Sequence, residues 1–222
     1  DGALLLGDRD AGPDQMANLM YPWEIDSEAE TVVEARVKVV ASDDPRAVTV
    51  RLANGVAVEY LTLGVGWIGL QHAGRRHDMD TTSDFRTYRI VMQGRDIRVY
   101  VEGQLCLDGT GLLVTPADDP THWLAVSPLL VEDRGKWNRS SLLFGSASGP
   151  GRGEALWEHV AFRGKKRPKA TLYDMVLALR FAKAPIRTGD NIIRNHDFET
   201  GNGLPDQWTT GRGAESVKYV VD

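Results

Sequence analysis

The chain has 222 residues, of which 42% are hydrophobic and 26% are charged, a balance typical of a folded protein that buries a core. Its 26 Lys and Arg against 31 Asp and Glu give a net charge of −5, which argues against a nucleic-acid-binding surface because such surfaces cluster Lys and Arg. The single cysteine, Cys106, excludes an intrachain disulfide and a zinc site built from cysteines. No apolar run approaches the roughly 20 residues of a membrane span.

Residues 31–63 predict three antiparallel strands. In TVVEARVKVV, residues 31–40, Val and Ala alternate with Glu, Arg and Lys, which is the period of a strand with one buried face. AVTVRLA, residues 47–53, follows a polar turn, and Asn54-Gly55 is a favourable two-residue hairpin turn into VAVEYLTL. In these two strands the alternation predicts that Val48, Val50 and Leu52 face the core. It predicts that Thr49, Arg51 and Glu59 face outward.

The next segment predicts a strand at IGLQHAG, residues 68–74, and a polar loop over 75–84. Three further strands, TYRIVMQ, IRVYVE and LCLDG, are separated by tight turns at Gly94 and Gly103. Residues 110–140 form a long connection that contains three prolines. The strand pattern returns in SSLLFGSAS and in EALWEHVAF, where we expect Trp157 to lie in the core.

These evenly spaced strands, with no strongly periodic helix between them, predict an all-β fold, an antiparallel β-sandwich. The segment 169–183, KATLYDMVLALRFAK, fits a helix or a strand, and its unbroken alternation slightly favours a strand. The segment 191–208 then begins a new phrase, in which Gly and Pro surround a few large apolar residues.

The central hairpin resembles that of the concanavalin A-like lectin/glucanase superfamily, the laminin-G-like jelly rolls. The residues that carry the likeness are Phe85, Tyr88, Ile90, Gly94, Ile97, Val99, Tyr100, Val101, Glu102 and Gly103. That superfamily usually has Asp before the second Gly, where this chain has Glu102. The resemblance covers roughly residues 20–165 and implies two curved antiparallel sheets packed face to face, in a jelly-roll domain that we place at residues 1–165.

The C-terminal part of the chain, which we treat as an extension over residues 166–222, carries a second resemblance. The phrase is similar to the opening strand of galactose-binding-like β-sandwich modules, and its matching residues are Asn191, Ile192, Ile193, Asn195, Phe198, Glu199, Pro205 and Trp208. This implies an element that packs on the sandwich and the start of a possible second module of a longer chain. Proteins that combine such modules are commonly secreted and act on carbohydrates, so the expected location is extracellular or periplasmic.

The jelly-roll resemblance implies sugar binding on the concave sheet or at its loop edge, where aromatic rings stack on the sugar and polar side chains bind hydroxyls. The ligand-binding residues that we predict are Trp67, Gln71, His72, Arg75, Trp123 and Trp137. Tyr60 and Tyr100 are further stacking candidates. The expected partner is a polysaccharide or other glycan.

Catalytic residues are not assigned. Glu34 and Glu59 lie on different strands and could form a carboxylate pair, although a solvated strand face explains both more simply. The Gln71, His72 and Arg75 group has the chemistry of a polysaccharide lyase, which neutralises a uronate and moves its α-proton.

A calcium site is common in these folds, and no other cofactor is expected. Asp78, Asp80 and Asp84 supply hard oxygen ligands suited to Ca²⁺ within one polar loop. Polar turn formation is the competing explanation for all three.

The leading hypothesis is therefore a carbohydrate-binding or accessory domain of a secreted multimodular protein. The alternatives are a polysaccharide-degrading enzyme of jelly-roll fold, either a lyase or a glycoside hydrolase, and a structural interaction domain.

Overall fold

The computed structural model describes residues 2–9, 16–23, 25–55, 57–113, 140–147 and 151–166, and the backbone of 174–180, 209–210 and 217–221. These residues form fifteen strands in two sheets, and every strand pair is antiparallel. The predicted all-β antiparallel sandwich is confirmed. The described residues contain no helix that is long and apolar enough to cross a membrane.

Sheet A contains eight strands. In spatial order they are β10 (Gln104–Asp108), β9 (Asp96–Val101), β8 (Arg86–Gln93), β3 (Thr31–Ser42), β12 (Gly153–Lys165), β1 (Gly2–Gly7) and β15 (Val217–Val221), and β13 (Asp174–Arg180) also pairs with β12.

Sheet B contains seven strands. In spatial order they are β14 (Thr209–Thr210), β2 (Asn18–Pro22), β11 (Ser140–Gly145), β4 (Thr49–Asn54), β5 (Val58–Gly64), β6 (Trp67–Leu70) and β7 (Arg75–Asp78).

The core lies between the sheets and follows the period-two pattern of the sequence. From sheet A it contains the alternating apolar residues of β3, β8 and β9, which are Val33, Ala35, Val37, Val39, Tyr88, Ile90, Met92, Ile97, Val99 and Val101. The hairpin between β9 and β10 turns at Glu102 and Gly103, whose φ angles are 47° and 83°. Two successive left-handed residues are what a tight hairpin needs, so the predicted hairpin is confirmed.

Sheet B is buried on both faces along its central strands. Val50 and Leu52 face the core as predicted, but Thr49 and Arg51, predicted to face solvent, are also buried, with 0% and 7% exposed. The prediction that Glu59 faces outward was wrong, because Glu59 lies directly across from Leu52 and is fully buried. Alternation identifies the two faces of a strand but not whether the second face is covered.

Other differences lie at element boundaries. The strand predicted at residues 68–74 ends at Leu70, so Gln71 and His72 lie in a turn, and Arg75–Asp78, predicted as loop, forms β7. Strands β1 and β2 were not predicted, since GALLLG and NLMYP are short. In the ambiguous tail segment, Asp174–Arg180 is a strand, as the alternation favoured.

Trp157 is fully buried in the core, as expected. A β-bulge between Trp157 and His159 changes which residues of β12 face inward, so that Val160 and Phe162 join the core after it.

The C-terminal strands belong to the two sheets of the sandwich: β13 pairs with β12, β14 with β2, and β15 with β1. The division of the chain at residue 165 stays a prediction, and the phrase at 191–208 lies outside the described residues.

Candidate functional site

The face of sheet B that points away from the core carries a row of polar and aromatic side chains, and we call it the outer face of sheet B. Arg51 on β4 and Tyr60 on β5 are directly opposite each other in the strand register, and Leu143 on β11 is opposite Arg51 on its other side. Side chains directly opposite in an antiparallel pair share a face, so these three are neighbours. Val58, Tyr60 and Ala53 form a small apolar cluster there, separate from the main core.

Arg51 is a buried cation without a counter-ion among the described residues. Its guanidinium Nη2 donates to Ser141 Oγ at 2.7 Å and lies 3.3 Å from Met20 Sδ, while its Nε has no hydrogen-bond partner. Burial lowers the pKa of Arg51, and the neighbouring Tyr60 opposes that change. An arginine that is removed from water and unpaired is costly to keep, unless a ligand supplies the missing negative charge.

Tyr60 and His72 form the next part of this face. The two rings meet edge to face, with centroids 5.4 Å apart, and the Arg46 guanidinium lies 6.0 Å above the Tyr60 ring. His72 Nδ1 lies 2.9 Å from the carbonyl oxygen of Val58. A carbonyl can only accept, so Nδ1 carries the hydrogen and Nε2 is the acceptor nitrogen of the neutral ring.

Gln71 lies beside this group and Arg75 does not. The backbone N–H of Gln71 donates to the Tyr60 carbonyl at 3.1 Å, and the Gln71 residue is exposed at the edge of the site. Arg75 is opposite Leu70, on the core-facing side of β7, whereas the outer face carries Arg76. The structure therefore brings Gln71 and His72 together with Tyr60 and Arg51, and separates Arg75 from them.

Trp67 lies on the same outer face but at the other end of the strands. It pairs with Gly64, which is four residues along β5 from Tyr60, or about 13 Å at the strand rise of ~3.3 Å per residue. A Cβ atom at Gly64 would overlap the Trp67 indole, so the ring occupies the space above that glycine. The Arg76 guanidinium is 4.6 Å from the ring centroid, so Trp67 holds a cation against its ring.

The three aspartates predicted to bind calcium each have a local role. Asp78 pairs with Arg76 at 3.0 Å, and Asp84 accepts the N–H of Phe85. Asp80 Oδ1 accepts hydrogen bonds from Thr82 and Ser83, and these bonds, that of Ser83 first, hold the pKa of Asp80 below its usual range. No group of three His, Cys, Asp or Glu among the described residues could hold a metal ion. The calcium site stays a prediction, and the contacts of Asp80 are those of a polar turn.

The other residues predicted to bind a ligand or to form a carboxylate pair lie away from the outer face of sheet B or outside the described residues. Trp123 and Trp137 lie outside the described residues. Tyr100 is on β9 of sheet A, away from the outer face of sheet B, and Glu34 of sheet A lies 3.2 Å from His159, so Glu34 and Glu59 are not a pair. Sequence reasoning missed Arg51 as a site residue because it occupies an alternating position that a solvent-exposed arginine also fits.

Comparisons with known proteins give a likeness of fold. No family model matches the sequence, and no curated protein matches it. Among solved structures, alginate lyase AlgAT5 from polysaccharide lyase family 7 is similar over 66% of this chain, with 14% identity and a TM-score of 0.41. The matched part spans 62% of that protein.

Two other solved structures are similar at the same level. Alginate lyase AlyC3 in complex with dimannuronate matches 72% of this chain and 73% of its own, with 9% identity and a TM-score of 0.42. Cellulose induced protein Cip1 matches 63% of this chain and 69% of its own, with 14% identity and a TM-score of 0.36. Likenesses at this level do not establish a shared activity.

Proposed function

We propose that this protein binds an acidic polysaccharide on the outer face of sheet B, with Arg51 holding the carboxylate of a uronate unit. The observation that carries the proposal is Arg51 itself: 7% exposed, with an unused Nε donor and no carboxylate within ion-pair distance among the described residues. A planar carboxylate matches the fork of a guanidinium and gives charge-assisted hydrogen bonds.

The neighbours of Arg51 suit the rest of a sugar. Tyr60 offers an aromatic ring and a hydroxyl, and Gln71 offers an amide for sugar hydroxyls at the open edge. The Trp67 and Arg76 pair, about 13 Å away along the strands, extends the same face with a further aromatic ring and cation. A polymer with repeated carboxylates would follow this face better than a neutral glycan.

Binding can be tested with uronate polymers and their neutral forms. Alginate and polygalacturonate are titrated into the protein by calorimetry, and the same polymers with their carboxyl groups reduced to alcohols serve as matched controls. We expect binding to the acidic forms, weakened by added salt, and at least a tenfold loss in Arg51→Met, the scale of one charge-assisted hydrogen bond. Equal binding to acidic and reduced polymers would refute the assignment of Arg51 to a carboxylate.

A second candidate is β-elimination at the same place, and the contact between Tyr60 and His72 beside Arg51 favours it. Arg51 would neutralise the uronate carboxylate, and His72 Nε2 or the Tyr60 oxygen would take the α-proton. The C4–O bond then breaks, a C4–C5 double bond forms, and the leaving oxygen receives a proton from the other group. The product carries an unsaturated uronate at its new end.

That double bond absorbs in the ultraviolet, so the reaction can be followed directly. We expect a slow rise in absorbance with an acidic polymer and none after His72→Ala, while Arg75→Ala, on the other side of β7, keeps the rate. Binding without any rise in absorbance across uronate polymers would leave a binding domain and exclude the lyase.

A further inference from the structure

Glu59 is a carboxylate buried beneath the site, on the side of β5 that faces the core. Leu52 lies directly across from it on β4, and Leu61 follows it on the same side of β5. Glu59 is 0% exposed. A carboxylate in such apolar surroundings is retained only where its oxygens are hydrogen-bonded.

The two oxygens of Glu59 bind the backbone of the turn that carries His72. Oε1 accepts the N–H groups of Tyr60 and His72, and Oε2 accepts the N–H of Ala73, each at 2.8 Å. Both oxygens accept, so one side chain satisfies three backbone N–H groups. Burial raises the pKa of Glu59, and these N–H donors together with nearby His72 oppose the rise.

His72 is therefore fixed from two sides. Its backbone N–H is bound by Glu59, and its Nδ1 donates to the Val58 carbonyl while lying 4.0 Å from Glu59 Oε1. Val58 and Glu59 are consecutive in β5, and Tyr60, whose ring meets the imidazole, is the next residue. One short stretch of strand thus sets the backbone, the tautomer and the ring contact of His72.

We propose that Glu59 is the positioning residue of the candidate site, holding the turn from the core side so that the His72 imidazole stands edge to face with Tyr60 on the ligand side. Glu59 does not touch the ligand and acts only through His72. The proposal rests on the proposed function in one respect: it takes His72 and Tyr60 as residues that contact the acidic saccharide.

The test compares Glu59→Gln with Leu52→Ala in the full chain. Glutamine keeps the length of the side chain, but its NH₂ group would face the Ala73 N–H, so two donors oppose each other and the turn must shift. Leu52→Ala removes buried volume directly across the strand pair on the same side, and the Leu52 side chain makes none of the turn hydrogen bonds, so this variant is the matched control for lost stability.

Two readouts are taken at a temperature where circular dichroism shows both variants folded. The first is the ring-current displacement of the His72 ring protons by Tyr60, assigned in NMR spectra with His72→Ala and Tyr60→Leu. The second is affinity for polygalacturonate or alginate. In Glu59→Gln we expect the displacement to collapse and affinity to fall about tenfold, the scale of a lost hydrogen bond. Leu52→Ala should keep both.

The displacement decides the positioning role without any ligand. If Glu59→Gln keeps the wild-type displacement, or if Leu52→Ala loses it equally, the proposal is overturned. If the displacement collapses but the wild-type protein binds no acidic polymer, Glu59 positions His72 and the proposed function is what fails.

Discussion

Replacing Arg51 should separate the stability of the fold from its ability to bind. The buried guanidinium interacts with the side chain of Tyr60 and donates a hydrogen bond to the Ser141 hydroxyl, while its Nε has no partner. We therefore consider the double variant Arg51→Met with Ser141→Ala, in which both members of the Arg51–Ser141 hydrogen bond become apolar. Methionine fills a similar elongated volume and can adapt to the surrounding gap.

The magnitude follows from the two opposing changes. An uncompensated buried charge costs roughly 3–5 kcal/mol, and the 7% exposure of Arg51, with Tyr60 beside it, places this one near the lower end. The variant loses one hydrogen bond, worth about 1 kcal/mol net, and leaves no orphaned hydroxyl at residue 141. The fold should therefore gain about 2 kcal/mol, which for a chain of this size raises Tm by roughly 4–8 °C.

Thermal and urea unfolding measure the gain, and calorimetry with an acidic polymer measures the loss of binding. Arg36→Met is the matched control: Arg36 pairs with Glu158 and is part-exposed on sheet A, so its loss should cost at most about 1 kcal/mol and leave binding intact. A double variant that is less stable than wild type, or that still binds, would refute the view of Arg51 as an unpaired cation kept for a ligand.

Three further predictions concern other positions. Gly64→Ala should lower stability by about 1–3 kcal/mol and shift the fluorescence of Trp67, whose indole it displaces; the loss should largely disappear when Trp67→Ala is combined with it. Burial raises the pKa of Glu59 in the folded protein, so the protonated side chain favours folding below the ordinary glutamate pKa, and this stabilisation is lost as the pH rises through the folded pKa. Urea midpoints measured from pH 4 to 8 should therefore fall more in wild type than in Glu59→Gln. Gly103→Ala should cost about 1–2 kcal/mol in urea unfolding because φ is +83°, and Gly103→Asn should cost less.

The sequence predicted the fold where the burial pattern and the period agreed. The β8–β9 hairpin alternates without interruption and is buried on one face, so its apolar residues identified the core directly. In β12 the bulge after Trp157 adds a residue to one strand, and nothing in the letters EALWEHVAF marks that shift. The pattern before the bulge was interpretable and the pattern after it was not.

The site was predicted only in part, for a physical reason. Gln71 and His72 were identified from their chemistry and Tyr60 as a stacking candidate, but Arg51, on the strand before that of Tyr60, joins them only through sheet pairing. Glu59 was placed on the wrong face because an acidic residue in an alternating strand is most simply explained by solvent. In the folded chain, the backbone N–H groups of His72 and Ala73 need an acceptor, and this need favours a buried position for Glu59. The sequence does not show it, because the turn and the strand meet only in three dimensions.

These two charged residues share a position in the architecture that explains why both matter. Arg51 and Glu59 lie on adjacent central strands of a sheet with two buried faces, one on each face, where an apolar residue would give a more stable fold. Backbone hydrogen bonds offset the free energy that burial of the Glu59 carboxylate costs, so Glu59 has a structural role. Arg51, in contrast, keeps an unused N–H donor. Natural folds tolerate such a deficit where function requires it. In the proposed site the unsatisfied residue, Arg51, is therefore the one that would meet the ligand, whereas the satisfied one, Glu59, would hold the turn that carries His72.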